Sequence, residues 1–350
     1  MTLPTLHIGI VSDDKIRIKS LQEILLENTQ HQLDWETTNA INLLDKSHQA
    51  APNLILIDIS CDSIDGVSMT KEILAKFDTE VLLFSSSVSD DAPKVFEAMG
   101  YGALDVITLS DQSRDFDEVS ALLKKIKNVC KLLQPKSKLE RSQQIQDTPQ
   151  KIKFNDTLIT IGSSTGGPAA LVEVLNKFPK DLEVAVVIIQ HVDAQFAETL
   201  AQWLDEQIVL PVRVARNGDY PQRGTVLLAA TNDHLCMKND MSMTYQVEPA
   251  EYSYRPSIDV FFNSATQFWK GNIIGVLLTG MGRDGAIGLR SMRDRGLYTI
   301  AQDENSSVVF GMPKAAIELD AACKVMDIKA IGDQIVKLIT PTIKTKKRTG

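Results

Sequence analysis

One serine motif in the second half of the chain has the residue types and spacing of a nucleophile. The segment GSSTG, residues 162–166, fits the pattern G-x-S-x-G and follows the apolar run TLITIG. In a strand–turn–helix setting this pattern exposes its central serine, here Ser164, and the first N–H groups of the next helix face a developing oxyanion. Ser163 is expected to face inward or to support the turn. A purely structural glycine turn is the alternative interpretation.

The same glycines do not fit the phosphate-binding loops. A P-loop has a lysine after its last glycine, but here Pro168 follows Gly167. A dinucleotide-binding loop needs G-x-G-x-x-G and an acidic residue about 20 positions later. The next apolar run ends instead in Gln190 and His191. The motif therefore favours a nucleophilic serine over phosphate binding.

A catalytic serine needs a base and a carboxylate that orients the base. His191 directly follows the apolar run EVAVVIIQ, and His234 is the weaker candidate in this half of the chain. Asp284 lies in the segment TGMGRDG after a third apolar run, although a turn-forming Asp-Gly is the structural alternative. The order Ser, His, Asp differs from the order of the α/β-hydrolases. We therefore predict a triad of Ser164, His191 and Asp284 on another doubly wound sheet.

The elements that position these residues are predicted from hydrophobic periodicity. Apolar runs of strand length alternate with amphipathic segments of helix length in both halves of the chain. This alternation predicts two α/β domains with mainly parallel sheets, whose sites lie at the carboxyl ends of the strands. The runs 225–231 and 243–249 are predicted to form a separate β excursion. The predicted organisation is 1–128 for a first domain, 129–154 for a linker, 155–340 for a second domain and 341–350 for a basic tail.

Composition excludes several classes of protein. The chain has 350 residues, of which 43% are hydrophobic and 23% charged, and a formal net charge of −8. A negative chain gives no electrostatic reason to expect a nucleic-acid partner. No apolar run reaches the length of a membrane span, and the first residues lack the features of a signal peptide. The four cysteines form no C-x-x-C pair, so we expect a cytoplasmic protein without disulfides or a zinc site.

Five segments of the second half carry a family resemblance. IGSSTGGPAAL, VIIQH, YRPSIDVFF, GVLLTGMGRDGAIGL and TIAQDENSSVVFGMPKAAI, in this order, resemble the catalytic domain of the chemotaxis methylesterases. The resemblance implies hydrolysis of glutamate methyl esters on chemoreceptors, and deamidation of certain glutamines, without a metal or organic cofactor. It also implies the nucleophile Ser164, the base His191 and the carboxylate Asp284. Candidates for the oxyanion and substrate loops are Thr165, Met281 and Arg255.

Residues 1–128 resemble a response-regulator receiver domain, which has a flavodoxin-like fold. The resemblance implies a phosphoacceptor at Asp58, a histidine kinase as phosphodonor, and Mg²⁺ held by Asp13 and Asp58. Ser85 matches the hydroxyl residue of the family. Two positions depart from the family: Ser12 stands at the first acidic position, and Leu109 stands where the family has a lysine. A domain that binds other proteins without phosphate is therefore the alternative to a phosphorylated one.

These inferences combine into one predicted function with two rivals. We predict a two-domain cytoplasmic serine esterase that acts on methylated glutamates of chemoreceptor-like proteins and does not insert into membranes. The same triad acting on another ester is the nearer rival. A catalytically idle module that binds receptors is the rival from a different functional class.

Overall fold

We describe the protein from a computed structural model, which defines residues 5–37, 52–61, 63–109, 116–133, 157–249 and 255–340. The chain divides into two compact units, 1–143 and 144–350. Most of the predicted linker and the whole basic tail lie outside the described residues. Among the residues that are described, no helix is both long enough and apolar enough to cross a membrane.

The first unit is a parallel sheet flanked by helices. The five strands lie in the order β2-β1-β3-β4-β5, and all neighbours are parallel. This is the flavodoxin-like order, so the predicted fold of the first domain is confirmed. Its elements are β1 His7–Val11, α1 Lys15–Asn28, β2 Gln32–Thr37, β3 Leu54–Asp58, α2 Gly66–Lys76, β4 Glu80–Ser85, α3 Val88–Gly100, β5 Asp105–Thr108 and α4 Phe116–Leu132.

The second unit contains a larger parallel sheet. Its seven strands lie in the order β14-β13-β12-β6-β7-β9-β8, with every neighbouring pair parallel. The elements are β6 Thr157–Ser163, α5 Gly167–Leu175, β7 Ala185–Gln190, α6 Ala194–Gln207, β8 Val212–Val214, β9 Val226–Leu228, β10 His234–Met237, β11 Met243–Gln246, α7 Ile258–Phe268, β12 Asn272–Leu277, α8 Ala286–Asp294, β13 Tyr298–Gln302, α9 Met312–Glu318, β14 Lys324–Met326 and α10 Ile328–Ile339.

The structure corrects one part of the predicted β excursion. The run 225–231 contains β9, which pairs in parallel with β7 inside the main sheet. Only β11 of the two predicted runs leaves the sheet, and it pairs antiparallel with β10. His234, the weaker candidate base, is the first residue of β10. The prediction failed because a three-residue strand carries too little sequence to identify its partner.

The strands form because they are buried on both faces. Every residue of β3, β6 and β7 is buried, as in a parallel sheet covered by helices on both sides. The helices begin at capping residues: the side chain of Asp14 caps α1, and that of Ser257 caps α7. Burial of the strands and capping of the helices therefore set where the strands end.

Candidate functional site

The three predicted triad residues follow three neighbouring strands. Strand β6 lies between β12 and β7. Ser164 comes immediately after β6, His191 immediately after β7, and Asp284 in the loop between β12 and α8. Parallel strands end at the same edge of a sheet, so the topology brings the three residues to one edge.

Backbone hydrogen bonds continue the sheet through this edge. The N–H of His191 donates to the carbonyl of Ser163 over 3.0 Å. The N–H of Ser164 donates to the carbonyl of Thr279 over 3.0 Å. The turn that carries Ser164 is thereby tied to the loops on both sides. Ser164 itself is only 8% exposed.

His191 and Asp284 form a short, buried pair. His191 Nε2 lies 2.7 Å from Asp284 Oδ2, and their side chains are 7% and 6% exposed. The ionised carboxylate accepts only, so Nε2 carries the hydrogen and donates it. In this tautomer the buried Nδ1 is left with a lone pair. Nδ1 is therefore the nitrogen that can accept a proton from a nucleophile, the reverse of the assignment in chymotrypsin.

The carboxylate of Asp284 is fixed by the N-terminus of α7. It accepts from the hydroxyl of Ser257 over 2.8 Å and from the N–H groups of Ile258 and Asp259 over 2.7 and 3.0 Å. Burial by itself raises the pKa of Asp284, but the hydrogen bond and charge of His191 and the backbone N–H donors outweigh it. The net pKa of Asp284 lies below its ordinary value, so the group stays ionised at neutral pH.

A second buried carboxylate lies beside Asp284. Asp259 is 3% exposed and accepts from the N–H of Gly288 in α8 over 2.6 Å. Asp284 precedes α8 and caps α7, whereas Asp259 belongs to α7 and binds the first turn of α8. The two helices therefore cap each other. Burial, and then the negative charge of Asp284, raise the pKa of Asp259 to about 7.

The glycines of the site allow close approach of the backbone. A Cβ atom on Gly280 would lie 2.7 Å from Ser164 Cβ and would also collide with the sulfur of Met312. Gly166 has a φ of 75°, and a Cβ there would meet the side chain of Val308. Both positions therefore require glycine. The loop that follows β12 lies directly against the candidate nucleophile.

The remaining candidates in the second unit differ in their surroundings. The carbonyl of Thr165 accepts from the hydroxyl of Thr279 over 2.9 Å. Met281 is half-buried and follows Gly280. Arg255 is half-buried and stands shortly before Ser257, the residue that bonds Asp284. Thr165, Met281 and Arg255 are therefore each close in sequence to a residue that contacts Ser164 or Asp284.

His234, the weaker candidate base, has a structural role. It is fully buried, and its Nδ1 accepts from the N–H of Ser257 over 3.1 Å. Its Nε2 therefore carries the hydrogen and donates to the carbonyl of Pro249 over 3.1 Å. His234 holds the segment that caps α7.

In the first unit, the candidate phosphoacceptor Asp58 ends β3 and is 1% exposed. It accepts from the hydroxyl of Ser12 over 2.7 Å, and Arg17 Nη1 lies 3.2 and 3.1 Å from its two oxygens. Burial raises the pKa of Asp58, although the hydrogen bond of Ser12 and the charge of Arg17 act in the opposite direction. The carboxylate is thus already paired with a cation from the same domain.

The other receiver candidates face different partners. Asp13 accepts from the hydroxyl and the N–H of Ser63 over 2.6 and 3.0 Å, and the hydroxyl bond is the largest cause that lowers its pKa. The hydroxyl of Ser85 lies 2.8 Å from a carboxylate oxygen of Asp91. Leu109 is buried, with 5% exposure. Over the described ranges, no group of three or more His, Cys, Asp or Glu residues is arranged to hold a metal ion.

Sequence reasoning missed four residues of these sites. Ser257 was detectable as an N-cap, because it precedes the apolar segment IDVFF. Arg17 and Asp259 gave no signal, and neither did Gln190, whose side-chain amide donates to the carbonyl of Ser164. These contacts join residues that are 41, 29 and 26 positions apart. Their contacts exist only in the folded chain.

Comparison with known proteins agrees with this architecture. The CheB methylesterase family model matches residues 159–335, and the response regulator receiver domain model matches residues 8–115. A protein-glutamate methylesterase/protein-glutamine glutaminase 2 of Burkholderia pseudomallei (strain 1710b) is 44% identical over 336 residues, covering 95% of this chain and 98% of the relative. A protein-glutamate methylesterase/protein-glutamine glutaminase of Mesorhizobium japonicum is 41% identical over 339 residues, covering 95% and 98%.

A solved structure resembles the second unit. The crystal structure of the Thermotoga maritima CheB methylesterase catalytic domain matches with a TM-score of 0.51 and 33% sequence identity. The match covers 53% of this chain and 99% of that chain. The fold assigned to the second domain is therefore confirmed.

The hydrogen bonds of Asp284 predict the effect of Asp284→Asn. An amide N–H₂ in place of Oδ2 would donate to His191 Nε2 and leave the hydrogen on Nδ1, the wrong tautomer for a base. We expect kcat to fall about 10⁴-fold, the order found when a triad carboxylate is lost in this way. The N–H of Ile258 would lose its acceptor at Oδ2, which should cost about 1–3 kcal/mol of unfolding free energy. Steady-state kinetics and chemical denaturation measure both effects, and unchanged kcat would contradict the assignment.

The raised pKa of Asp259 predicts a pH-dependent stability. The carboxyl titrates at about 3.9 in the unfolded chain and at about 7 in the folded protein. The native state therefore binds more protons between these values, and the contribution of Asp259 to stability is lost as pH rises through about 7. Asp259→Asn removes this titration. We expect the Tm of the variant, relative to wild type, to rise by at least about 2 °C between about pH 5 and pH 8.

The exposed Asp333 supplies the control for this measurement. Asp333→Asn should leave the Tm difference from wild type constant over the same pH range. A flat difference for Asp259→Asn as well would mean that Asp259 does not titrate in this interval.

Proposed function

Because this chain belongs to the CheB methylesterase family and carries a receiver domain before the catalytic domain, we propose that it hydrolyses glutamate methyl esters on chemoreceptor-like proteins. The relatives that it matches are named as both methylesterases and glutaminases, so deamidation of glutamine side chains belongs to the same proposal. One observation carries it: the 2.7 Å pair of His191 and Asp284 lies at the edge of the sheet where Ser164 follows strand β6. An ester and a primary amide of glutamate differ only in the group that leaves.

The proposed mechanism uses Ser164 as nucleophile and His191 as base. Nδ1 of His191 takes the hydroxyl proton as Ser164 Oγ forms a bond to the ester carbonyl carbon. The imidazolium is stabilised by Asp284, whose lowered pKa keeps it ionised. The tetrahedral intermediate collapses, His191 returns the proton to the leaving oxygen, and methanol departs. Water then cleaves the glutamyl-enzyme, with His191 as base again.

The oxyanion requires N–H donors at the same edge. The N–H of Ser164 is used, because it donates to the carbonyl of Thr279 in the loop that follows β12. We therefore assign the oxyanion donors to the next residue, Thr165, and to Met281 in the loop that lies against Ser164. The contact of Gly280 with Ser164 supports this assignment, because it brings the Met281 peptide close to the nucleophile.

The proposed compartment is the cytoplasm. All four cysteines are free thiols, as expected under reducing conditions. The proposed substrate is a methylated helix on the cytoplasmic side of a chemoreceptor. For the receiver domain, the family predicts a histidine kinase as partner, and a regulator that binds without phosphate is the other partner class.

The proposed activity is tested by methanol release from a methylated receptor fragment. We expect the wild-type chain to release methanol and Ser164→Ala to lose at least about 10³-fold of that rate, since the covalent step is removed. Ser291→Ala, on helix α8, is the matched control and should retain the wild-type rate. Equal rates for wild type and Ser164→Ala would exclude the esterase and support the idle binding module.

A further inference from the structure

The side chain of Gln190 joins the nucleophile turn to the histidine. Gln190 is the last residue of β7, and it is 1% exposed. Its Nε2 donates to the carbonyl of Ser164 over 2.9 Å and to the carbonyl of His191 over 3.1 Å. Both N–H groups of the amide thus donate to backbone carbonyls, one of Ser164 and one of His191. The proposed reaction depends on the relative position of these two residues.

Ser163 completes this arrangement. Its hydroxyl donates to Gln190 Oε1 over 2.6 Å, and the two residues are paired across strands β6 and β7. Ser163 is fully buried. The two carbonyls orient the amide, because a carbonyl only accepts, and Oε1 is left to accept from the Ser163 hydroxyl. Ser163, the first serine of the GSSTG motif, is therefore a partner of Gln190 and not a competing nucleophile.

Gly167, the first residue of α5, packs against the same amide. A Cβ atom on Gly167 would collide with Gln190 Oε1 and lie 2.9 Å from Gln190 Cδ. The φ of Gly167 is not in the left-handed region, so its conformation does not itself require glycine. The absence of a side chain at 167 is explained by the space that Gln190 occupies.

We propose that Gln190 is a positioning residue that sets the geometry between Ser164 and His191. It touches neither substrate nor the reacting atoms, and it acts through the two carbonyls that it holds. The inference rests on the proposed function. A displacement of about 1 Å between reacting groups costs about 10²-fold in rate, which is the scale of effect expected from loss of this amide.

The first test is Gln190→Leu, which keeps the size of the side chain and removes its polar atoms. We expect kcat for methanol release to fall about 10²-fold while KM stays within about twofold, because orientation and not binding is lost. Labelling of Ser164 by a fluorophosphonate probe should slow by a similar factor, and it requires no knowledge of the natural substrate. The exposed Gln202 provides the control, and Gln202→Leu should match wild type in both assays.

The second test uses the space shared with Gly167. Gly167→Ala in the wild-type background should displace the amide and lower kcat as Gln190→Leu does. In a Gln190→Ala background the same change should lower kcat by less than about threefold further, because the colliding atoms are gone. Fully additive losses would overturn the proposal. This comparison tests the positioning role even if Gln190→Leu folds poorly.

These outcomes separate the two proposals. A Gln190→Leu protein that is folded, has a lower Tm and keeps wild-type kcat and labelling would reduce Gln190 to a stabilising residue. A wild-type chain that is labelled at Ser164 but releases no methanol would instead contradict the proposed substrate. The labelling rates of wild type and Gln190→Leu would then decide whether Gln190 positions the nucleophile.

A second, independent observation concerns the receiver pocket. Arg17 extends from α1, and its side chain is 15% exposed while that of Asp58 is 1% exposed. One guanidinium nitrogen lies at 3.2 and 3.1 Å from the two carboxylate oxygens. Ser12 and the N–H of Ser60 donate to the same carboxylate over 2.7 and 3.0 Å. Asp58 is therefore neutralised and hydrogen-bonded by the domain itself.

The pocket does not suit Mg²⁺. This ion requires oxygen ligands in a close octahedral shell, usually with carboxylates among them. Ser12 offers a neutral hydroxyl where receiver domains have an acid, and Asp13 is bonded to Ser63. The guanidinium of Arg17 adds a fixed positive charge at the carboxylate, which repels a divalent cation. Buried Leu109 adds no cation to hold a phosphoryl group.

We infer that Arg17 takes the place of the metal ion on Asp58, so that this receiver domain functions without Mg²⁺-dependent phosphorylation. The guanidinium cannot lose its proton in a protein. The charge balance of the pocket is therefore permanent and not controlled by metal or phosphate.

The test measures metal binding and phosphorylation of the full chain. Mn²⁺, a paramagnetic probe for the Mg²⁺ site, should give the same EPR binding curve for wild type and Asp58→Asn. Acetyl phosphate with Mg²⁺ should leave wild-type Asp58 unlabelled. In Ser12→Asp/Arg17→Ala, which restores an acid and removes the cation, we expect new Mn²⁺ binding that depends on Asp58. In that variant the carboxylate would attack phosphorus and release acetate.

Lys19→Ala removes an exposed charge from the same helix as Arg17 and is the control. It should match wild type in Mn²⁺ binding and in labelling by acetyl phosphate. Millimolar MgCl₂ should leave the wild-type Tm equal to that in NaCl of matched ionic strength, since a ligand that binds the native state raises Tm. This measurement does not depend on how the double variant folds. An Asp58 acyl phosphate on the wild-type chain, or Mn²⁺ binding lost in Asp58→Asn, would overturn the inference.

Discussion

The buried carboxylate of Asp284 is the group on which the geometry of the catalytic domain depends. A charge at this depth is stable only when hydrogen-bonded, and the N-terminus of α7 supplies a hydroxyl and two N–H groups. These donors leave Oδ2 aimed at His191, which fixes the imidazole tautomer. The proposed chemistry at Ser164 thus depends on a helix that begins more than twenty residues before Asp284 in the chain.

Reciprocal packing extends this constraint to the neighbouring helix. Asp284 precedes α8 but binds α7, and Asp259 in α7 binds the N–H of Gly288 in α8. Neither helix can move without disturbing a carboxylate of the other. On the opposite side, the turn that carries Ser164 is held by the amide of Gln190. The catalytic edge is therefore supported from both neighbouring strands.

The two domains use buried carboxylates in different ways. Asp284 is paired with the imidazole of His191, in which one nitrogen donates and the other can accept. Asp58 is paired with the guanidinium of Arg17, which stays charged at any pH a protein experiences. The first pair suits acid–base catalysis. The second holds its domain in one electrostatic state.

The fold class and the candidate triad were predictable from the sequence because their signals are local. Strand-length apolar runs that end shortly before Ser164 and His191 predicted parallel strands, and the predicted α/β fold is confirmed. The short β9 was misassigned, since three residues carry no information about their partner.

The sequence by itself determined which residue types stand at the ends of the strands: a serine between glycines, a histidine and an aspartate. Only the tertiary structure decided what holds them. The amide of Gln190, the cap at Ser257 and the ion pair of Arg17 each join segments distant in the chain. Such contacts arise from the packing of strands and helices, which leaves no periodic pattern at either partner. The sequence therefore names the candidate triad but not the residues that support it.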